Sequence, residues 1–490
     1  MLFSLNGCYQ TMLNNQTPES VQKQETTQDA QEASVLPMPE IPKAKLFEHV
    51  MPEKRTLSNG MEVLYVYNPM IPLMSMKVVF RSGGASDPKE KAGLSSMTAS
   101  MLKEGANGKS AQAISEAIEL LGATLGPGMT QDTGSLYLES LTQYFGQAVD
   151  ILADVWLKPD FSQASFERLK KIALTRLNQR SDSPVAVAKL VSDRAYYGDA
   201  HPYGRSVDGY VDTVSALELS DIKARYAELF SASRAAIIGV GNMPIDAFAA
   251  LMEKKFGQLE RSEVSSTEVR AEIPRAEKRL IIVDKPNAPQ TVIRIYEPGV
   301  PSTSLETLSW QFVNIPFGDS FTSRLMQNIR EDKGYSYGAN SGISAMQMGG
   351  VFVSTSSVES GVTGAALKEF LYELGRLPTG DFTQEEFLRA RETWKSELVQ
   401  SFETQAGVLA TISGLYVNQK PMDCINAFAR DIEQYRLEDF NRVAREFPTL
   451  ESATIVLVGD KASILPQLAD MDLPEPIYFD TQGNRIIETH

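Results

Sequence analysis

The strongest constraint on this fold is a repeat. The segment Asp160-Phe161-Ser162-Gln163 through Leu177 returns as Asp381-Phe382-Thr383-Gln384 through Leu398. Asp, Phe, Gln, a second Phe (Phe166 and Phe387), an Arg (Arg168 and Arg389) and the closing Leu coincide. The apolar run Ala235 to Asn242 returns, in the same order and at nearly the same offset, as Ala453 to Asp460. Amphipathic helices share apolar spacing for generic reasons, but two matches in order at one offset point to a tandem of two similar domains. A chain of 490 residues is in any case too long for one core, since domains run to roughly 100–200 residues each.

Local signals fill in the rest. Leu57-Ser58-Asn59-Gly60 supplies an Asn-Gly turn before a strand at Met61–Tyr67, and a second strand covers Leu73–Phe80. Helical patterns follow at 91–104 and 110–121, strands near 124–130 and 134–141, and helices at 143–157, 162–180, 185–197, 216–230 and near 244–256. Clustered strands interrupted by consecutive helices predict an α+β fold, each domain a mainly antiparallel sheet covered by helices on one face. Residues 1–49 read as a tail and linker, 50–260 as the first domain, 261–276 as a polar linker, 277–475 as the second domain and 476–490 as a tail. Gly83-Gly84-Ala85 lacks the residues of a phosphate loop and reads as a turn, as does Gly126-Pro127-Gly128.

Composition excludes several function classes. The net charge of -15 argues against a nucleic-acid surface, which needs clustered Lys and Arg. No apolar run approaches the ~20 residues of a membrane span. The two cysteines, Cys8 and Cys424, give no disulfide framework. The histidines, His49, His201 and His490, share no metal-ligand spacing. Leu5-Asn6-Gly7-Cys8 resembles the end of a bacterial lipoprotein signal, although seven residues cannot supply its apolar region. The compartment therefore reads as cytoplasmic, or as periplasmic or anchored through Cys8 if a signal has been truncated.

The segment with the most chemical content runs from Ser323-Arg324-Leu325 through Arg330 and Lys333-Gly334 to Tyr337. It resembles the C-terminal-domain signature of the insulinase/pitrilysin family, the inverted-motif zinc peptidases. The resemblance implies that Arg330 and Tyr337 reach substrate at a zinc centre. Gly122-Ala123-Thr124, Thr130-Gln131-Asp132-Thr133 and the turn His201-Pro202-Tyr203-Gly204-Arg205 extend it, so that it covers about residues 50–475, with His201 structural. The family's metal motif, His-x-x-Glu-His, corresponds here to Ser96-Met97-Thr98-Ala99-Ser100. Ser96 and Ser100 stand at the two histidines, Ala99 at the catalytic Glu and Arg176 at the third ligand. A guanidinium has no lone pair to offer a metal, and a neutral Ser is a poor zinc ligand.

The sequence thus keeps a substrate-holding half and lacks a metal-holding half. In hetero-oligomeric members of the family one chain carries the metal motif and its partner does not. The resemblance implies a non-catalytic subunit of a bacterial zinc endopeptidase, without peptidase activity alone. Its expected partner is a homologous subunit bearing the intact motif and the zinc; peptides are the expected substrate. The alternatives are a structural subunit, like the metal-free core subunits of respiratory complexes, and a peptide-binding or chaperone-like protein.

Residues 9–36 are rich in Gln, Thr, Glu and Ser, and Pro37-Met38-Pro39-Glu40-Ile41-Pro42 follows as a stiff tether. Such a stretch cannot bury enough apolar surface to offset its ordering entropy. A chain starting at Ala44 is expected to fold and to melt with the full-length chain in a thermal scan; failure to fold contradicts this reading.

Overall fold

Helices α4 (Gln163–Arg180) and α12 (Gln384–Ser401) bear out the repeat in detail. Each is 18 residues long and capped by a hydroxyl, Ser162 in one and Thr383 in the other. Phe166 and Phe387 are buried at matching places, as are Leu177 and Leu398. The computed structural model describes residues 46–261, 273 and 277–487. Cys8, the polar tail and most of the linker at 261–276 lie outside the described residues.

The first half contains strands β1 (Glu53–Thr56), β2 (Glu62–Tyr67), β3 (Leu73–Phe80), a small pair β4 (Gly105–Ala106) and β5 (Lys109–Ser110), then β6 (Thr124–Met129), β7 (Gly134–Leu141) and β8 (Ala235–Gly241). Its helices are α1 (Leu94–Met101), α2 (Ala111–Leu120), α3 (Phe145–Leu157), α4, α5 (Pro184–Tyr197), α6 (Val211–Ala216), α7 (Leu219–Leu229) and α8 (Ile245–Phe256). The second half holds β9 (Arg279–Asp284), β10 (Gln290–Gly299), β11 (Ser336–Met346), β12 (Gly349–Glu359), β13 (Thr454–Gly459) and β14 (Ile477–Phe479). Its helices are α9 (Glu306–Asn314), α10 (Arg324–Met326), α11 (Thr363–Arg376), α12, α13 (Gln405–Val417), α14 (Cys424–Gln434), α15 (Leu437–Ala444) and α16 (Lys461–Leu468).

Two six-stranded sheets result, in the orders β1-β2-β8-β3-β7-β6 and β11-β12-β10-β13-β9-β14. Most neighbours are antiparallel; β2 with β8, and β9 with both β13 and β14, are parallel. Gly126-Pro127-Gly128 is not a turn. It lies within β6, at the edge of its sheet, where proline is tolerated. The helix read at 216–230 is α7, which starts at Leu219; the short helix α6 precedes it and ends at Ala216. The segment 476–490, read as a tail, adds β14 alongside β9. Three strand residues between Pro476 and Asp480 are too few to show a period. Residues 46–49, read as linker, are also engaged. The His49 ring stacks on Phe402 at 4.8 Å, and the His49 N–H donates to Asn426 Oδ1.

Each half buries its own core between sheet and helices. One core joins Phe80, Trp156 and Phe256 among others; the second joins Phe312, Phe387 and Phe440. The opposite face of each sheet is covered too. Val187, Ala188 and Val191 of α5 pack on Ile281, Val283 and Val458 of the second sheet. Reciprocally, Val408, Leu409 and Ile412 of α13 pack on Leu64, Val79 and Ile238 of the first. The two halves thus exchange helices, and β8 and β13 are buried along their whole length. The described residues include no helix long and apolar enough to cross a membrane.

Ile412 is fully buried against the opposite sheet. Ile412→Ala is expected to cost about 2–5 kcal/mol in chemical denaturation, as for a core residue. A loss below about 1 kcal/mol, the range of surface substitutions, contradicts the exchanged packing.

Candidate functional site

Ser96, Ser100 and Arg176 line one cavity of about 400 Å³, together with Arg168, Arg180 and Asp208. Two helices supply most of its lining, and Asp208 and Val214 close it. Helix α4 presents Arg168, Ile172, Arg176 and Arg180 at four-residue spacing, hence on one face. Helix α1 presents Gly93, Ser96, Met97 and Ser100 from the other side.

The position of α1 is fixed at its start. The Ser95 N–H donates to Asp87 Oδ2 at 3.0 Å, and Arg225 Nε donates to Ser95 Oγ at 3.0 Å. Arg225 and Asp87 form an ion pair of 3.4 Å with both side chains almost wholly buried. Burial pushes the Asp87 carboxyl up, against the opposing pull of Ser95 and the Arg225 charge. Gly93 has φ +96, and a Cβ there would sit 2.9 Å from the Asp208 carbonyl oxygen. Only Gly allows that approach, which brings Asp208 over α1 so that Ser96 Oγ donates to Asp208 Oδ1 at 3.0 Å. Ser100 Oγ turns back to the Ser96 carbonyl, 2.9 Å away.

Ala99 does not reach this cavity. It is buried in the first core, and a methyl group offers no base. The lining carries three guanidiniums, one carboxylate and two hydroxyls. Such a donor set does not fit zinc, which takes thiolate, imidazole or carboxylate ligands. Among the described residues there is no group of three or more His, Cys, Asp or Glu able to hold a metal. Arg168 pairs with Glu104. Arg180 Nη1 donates to Ser206 Oγ at 3.1 Å and to the Gly209 carbonyl at 3.3 Å. Burial draws the Arg180 guanidinium below its ordinary value, yet the group stays charged.

His201 serves the fold. Its Nδ1 accepts from the Tyr203 N–H at 3.1 Å, closing the His-Pro-Tyr-Gly turn. Tyr203 Oη donates to Asp132 Oδ1 and accepts the Met348 N–H at 3.0 Å, while Asp132 Oδ2 accepts the Gln347 N–H at 3.1 Å. That turn therefore clasps the β11–β12 hairpin of the other half.

Arg330 and Tyr337 lie in the second half, away from the cavity lining. Helix α10 passes directly into a π-helical turn, Gln327–Asp332. Leu325 and Ile329 are fully buried, whereas Met326 is only half-buried. Gly334, at φ +65, ends the turn, with the Tyr335 N–H donating to the Ile329 carbonyl at 2.9 Å. Arg324 anchors the segment. Its guanidinium binds Asp381 and Glu386 at 2.6 Å each and covers the Phe382 ring. Burial alone would raise both carboxyls, but Arg324 outweighs it and holds them low.

The Arg330 guanidinium sits 4.6 Å from the centre of the Phe321 ring and 3.2 Å from Glu331. Tyr337 falls in a bulge, because Ser336 pairs with Val358 but Ala339 with Ser356. Ser336 and Ser356 hydroxyls stitch the bulge by donating to the Gly338 carbonyl. A bulge re-aims a side chain, and Tyr337 is 92% exposed. Sequence reasoning missed Phe321, Arg168, Arg180 and Asp208. Spacing of four from Arg176 could have flagged Arg180; nothing in Ser320-Phe321-Thr322 marks an aromatic partner for Arg330.

Two interlocked sheet-and-helix halves, with a basic cavity at the positions assigned to metal ligands, define a peptidase-like scaffold without a metal set. Residues 62–206 match the family described as Insulinase (Peptidase family M16), and residues 216–393 match the Peptidase M16 inactive domain. The chain belongs to the M16 family. It is 23% identical over 412 residues to an uncharacterized zinc protease, YmxG, of Bacillus subtilis, covering 83% of this chain and 98% of that protein. It is 20% identical over 407 residues to the non-peptidase homolog YmxG of Helicobacter pylori, covering 81% and 92%. The mitochondrial-processing peptidase subunit beta of Saccharomyces cerevisiae is 23% identical over 393 residues, covering 74% and 81%. Among solved structures, a peptidase M16 inactive domain from Pseudomonas fluorescens superposes with a TM-score of 0.78 at 23% identity, covering 84% of this chain and 98% of that one. The chain is accordingly an inactive M16-like member in its own residues.

Purified alone, the chain is expected to hold no stoichiometric zinc by elemental analysis and to cleave no peptide. One tightly held zinc per chain, lost on substitution of Ser96, Ser100 and Arg176, contradicts the assignment.

Proposed function

We propose that this chain is the non-catalytic subunit of a zinc endopeptidase and offers Arg330 and Tyr337 in trans to the metal site of a homologous partner. The observation that carries this reading is the state of Tyr337. The side chain is 92% exposed, on a bulge held by serine hydroxyls, seven residues beyond an Arg seated on Phe321. A tyrosine placed for packing would be buried; this one is built outward.

Attack on a peptide carbonyl builds negative charge on its oxygen, and a donor fixed at that oxygen lowers the barrier. The Tyr337 hydroxyl is such a donor. The Arg330 guanidinium binds a backbone carbonyl or a carboxylate through its fork, and Phe321 limits the positions it samples. Zinc on the partner would polarise the carbonyl and activate water. The similarity to a processing-peptidase subunit is in keeping with paired assembly.

With a metal-bearing partner, Tyr337→Phe is expected to lower kcat by up to ~100–1000-fold with assembly and zinc content intact. Arg330→Ala is expected to raise KM as well, because it also removes binding shared by the ground state. Wild-type turnover by both variants in normally assembled complexes would make the chain a scaffold and the pair a helix end and a strand residue.

A further inference from the structure

The cavity between α1 and α4 is more than a lost metal site. Its open charge is concentrated on Arg176, which is exposed and makes no hydrogen bond or ion pair among the described residues. One helical turn on, Arg180 keeps Nε and Nη2 buried with no hydrogen-bond partner. Like charges at four-residue spacing repel, and buried donors without acceptors are costly. An anionic group bound at Arg176 would offset that repulsion. The single lining carboxylate, Asp208, is engaged by Ser96. The remaining wall is apolar: Met97, Leu169, Ile172, Leu177 and Val214.

We infer that this cavity binds the C-terminal residue of a peptide, its carboxylate on Arg176 and its apolar side chain against that wall. A free phosphate would satisfy the guanidiniums but leave the apolar wall bare. A volume of about 400 Å³ is within the range of small-ligand pockets, which pair an apolar lining with a few polar groups. Replacement of metal ligands by Ser96, Ser100 and Arg176 thus inverts the preference of the site, from a cation to a carboxylate. The inference rests on the proposed function only in taking peptides as the ligand class.

The test uses the full chain purified alone and a fluorescein-labelled decapeptide ending in Leu, read by anisotropy. The free acid is expected to bind at least about tenfold more tightly than its C-terminal amide, the factor that one charge-assisted contact contributes. Arg176→Ala is expected to remove most of that difference and to leave amide binding unchanged. Ser100→Asp, which sets a carboxylate against the ligand's, is expected to do the same. Arg176 has no hydrogen-bond or ion-pair partner among the described residues to lose, so its variant should melt with the wild type. Equal affinity for acid and amide, or an unaltered difference in Arg176→Ala, overturns the inference. Inorganic phosphate binding as tightly as the acid peptide also overturns it, in favour of a free anion. The acid–amide difference is read on this chain alone and the trans role only as turnover with a metal-bearing partner, so the cavity and the trans role can fail separately.

Discussion

The exchange of helices between the two halves is the contact on which the rest depends. Each sheet has one face on its own core and the other under a helix from the opposite half, α5 on the second sheet and α13 on the first. The central strands β8 and β13 are consequently buried on both faces. Neither half can be removed without stripping an apolar face from the other. Polar bonds set the register of this exchange. Tyr296 Oη donates to Asp193 at 2.8 Å, Tyr416 Oη donates to Glu62 at 2.6 Å, and Gln405 Nε2 donates to the Leu73 carbonyl at 3.0 Å.

That rigid frame gives the two regions of interest different characters. In the first half, the Asp87–Ser95–Arg225 cluster and the close glycine approach hold α1 against α4, so a cavity persists where three of the assigned metal positions now carry Ser and Arg. In the second half, the segment from Arg324 to Tyr337 is held from behind. Arg324 is tied to Asp381 and Glu386, and Asn328 Nδ2 donates to Glu369 and Glu373 of α11. What faces outward is the Arg330–Phe321 pair and Tyr337.

Much of the fold was legible in the chain, because its signals are local. The repeated Asp-Phe…Phe…Leu pattern marks helices whose buried residues coincide, and Asn59-Gly60 and Gly334 mark turns that take up positive φ. The exchange of helices was not legible. An apolar helix such as α13 shows no polar face, and periodicity cannot say whose sheet it covers. β14 was too short to register, and the strand at Gly126-Pro127-Gly128 carried turn residues that an edge position tolerates. In the site, residue types alone showed Ser96, Ser100 and Arg176 at the positions that the resemblance assigns to metal ligands. The π-helical turn, the bulge at Tyr337 and the ring of Phe321 under Arg330 arise from tertiary geometry and leave no spacing to read.

The central claim is that half of a peptidase site resides here and the other half on a second chain. The most direct measurement is a titration of this chain into a fixed amount of a homologous subunit bearing His-x-x-Glu-His and zinc, reading peptide turnover. The account predicts little turnover by the metal-bearing subunit alone, rising to a plateau at a fixed ratio of the two chains. Full turnover by the metal-bearing subunit alone, unchanged by any addition of this chain, would contradict it.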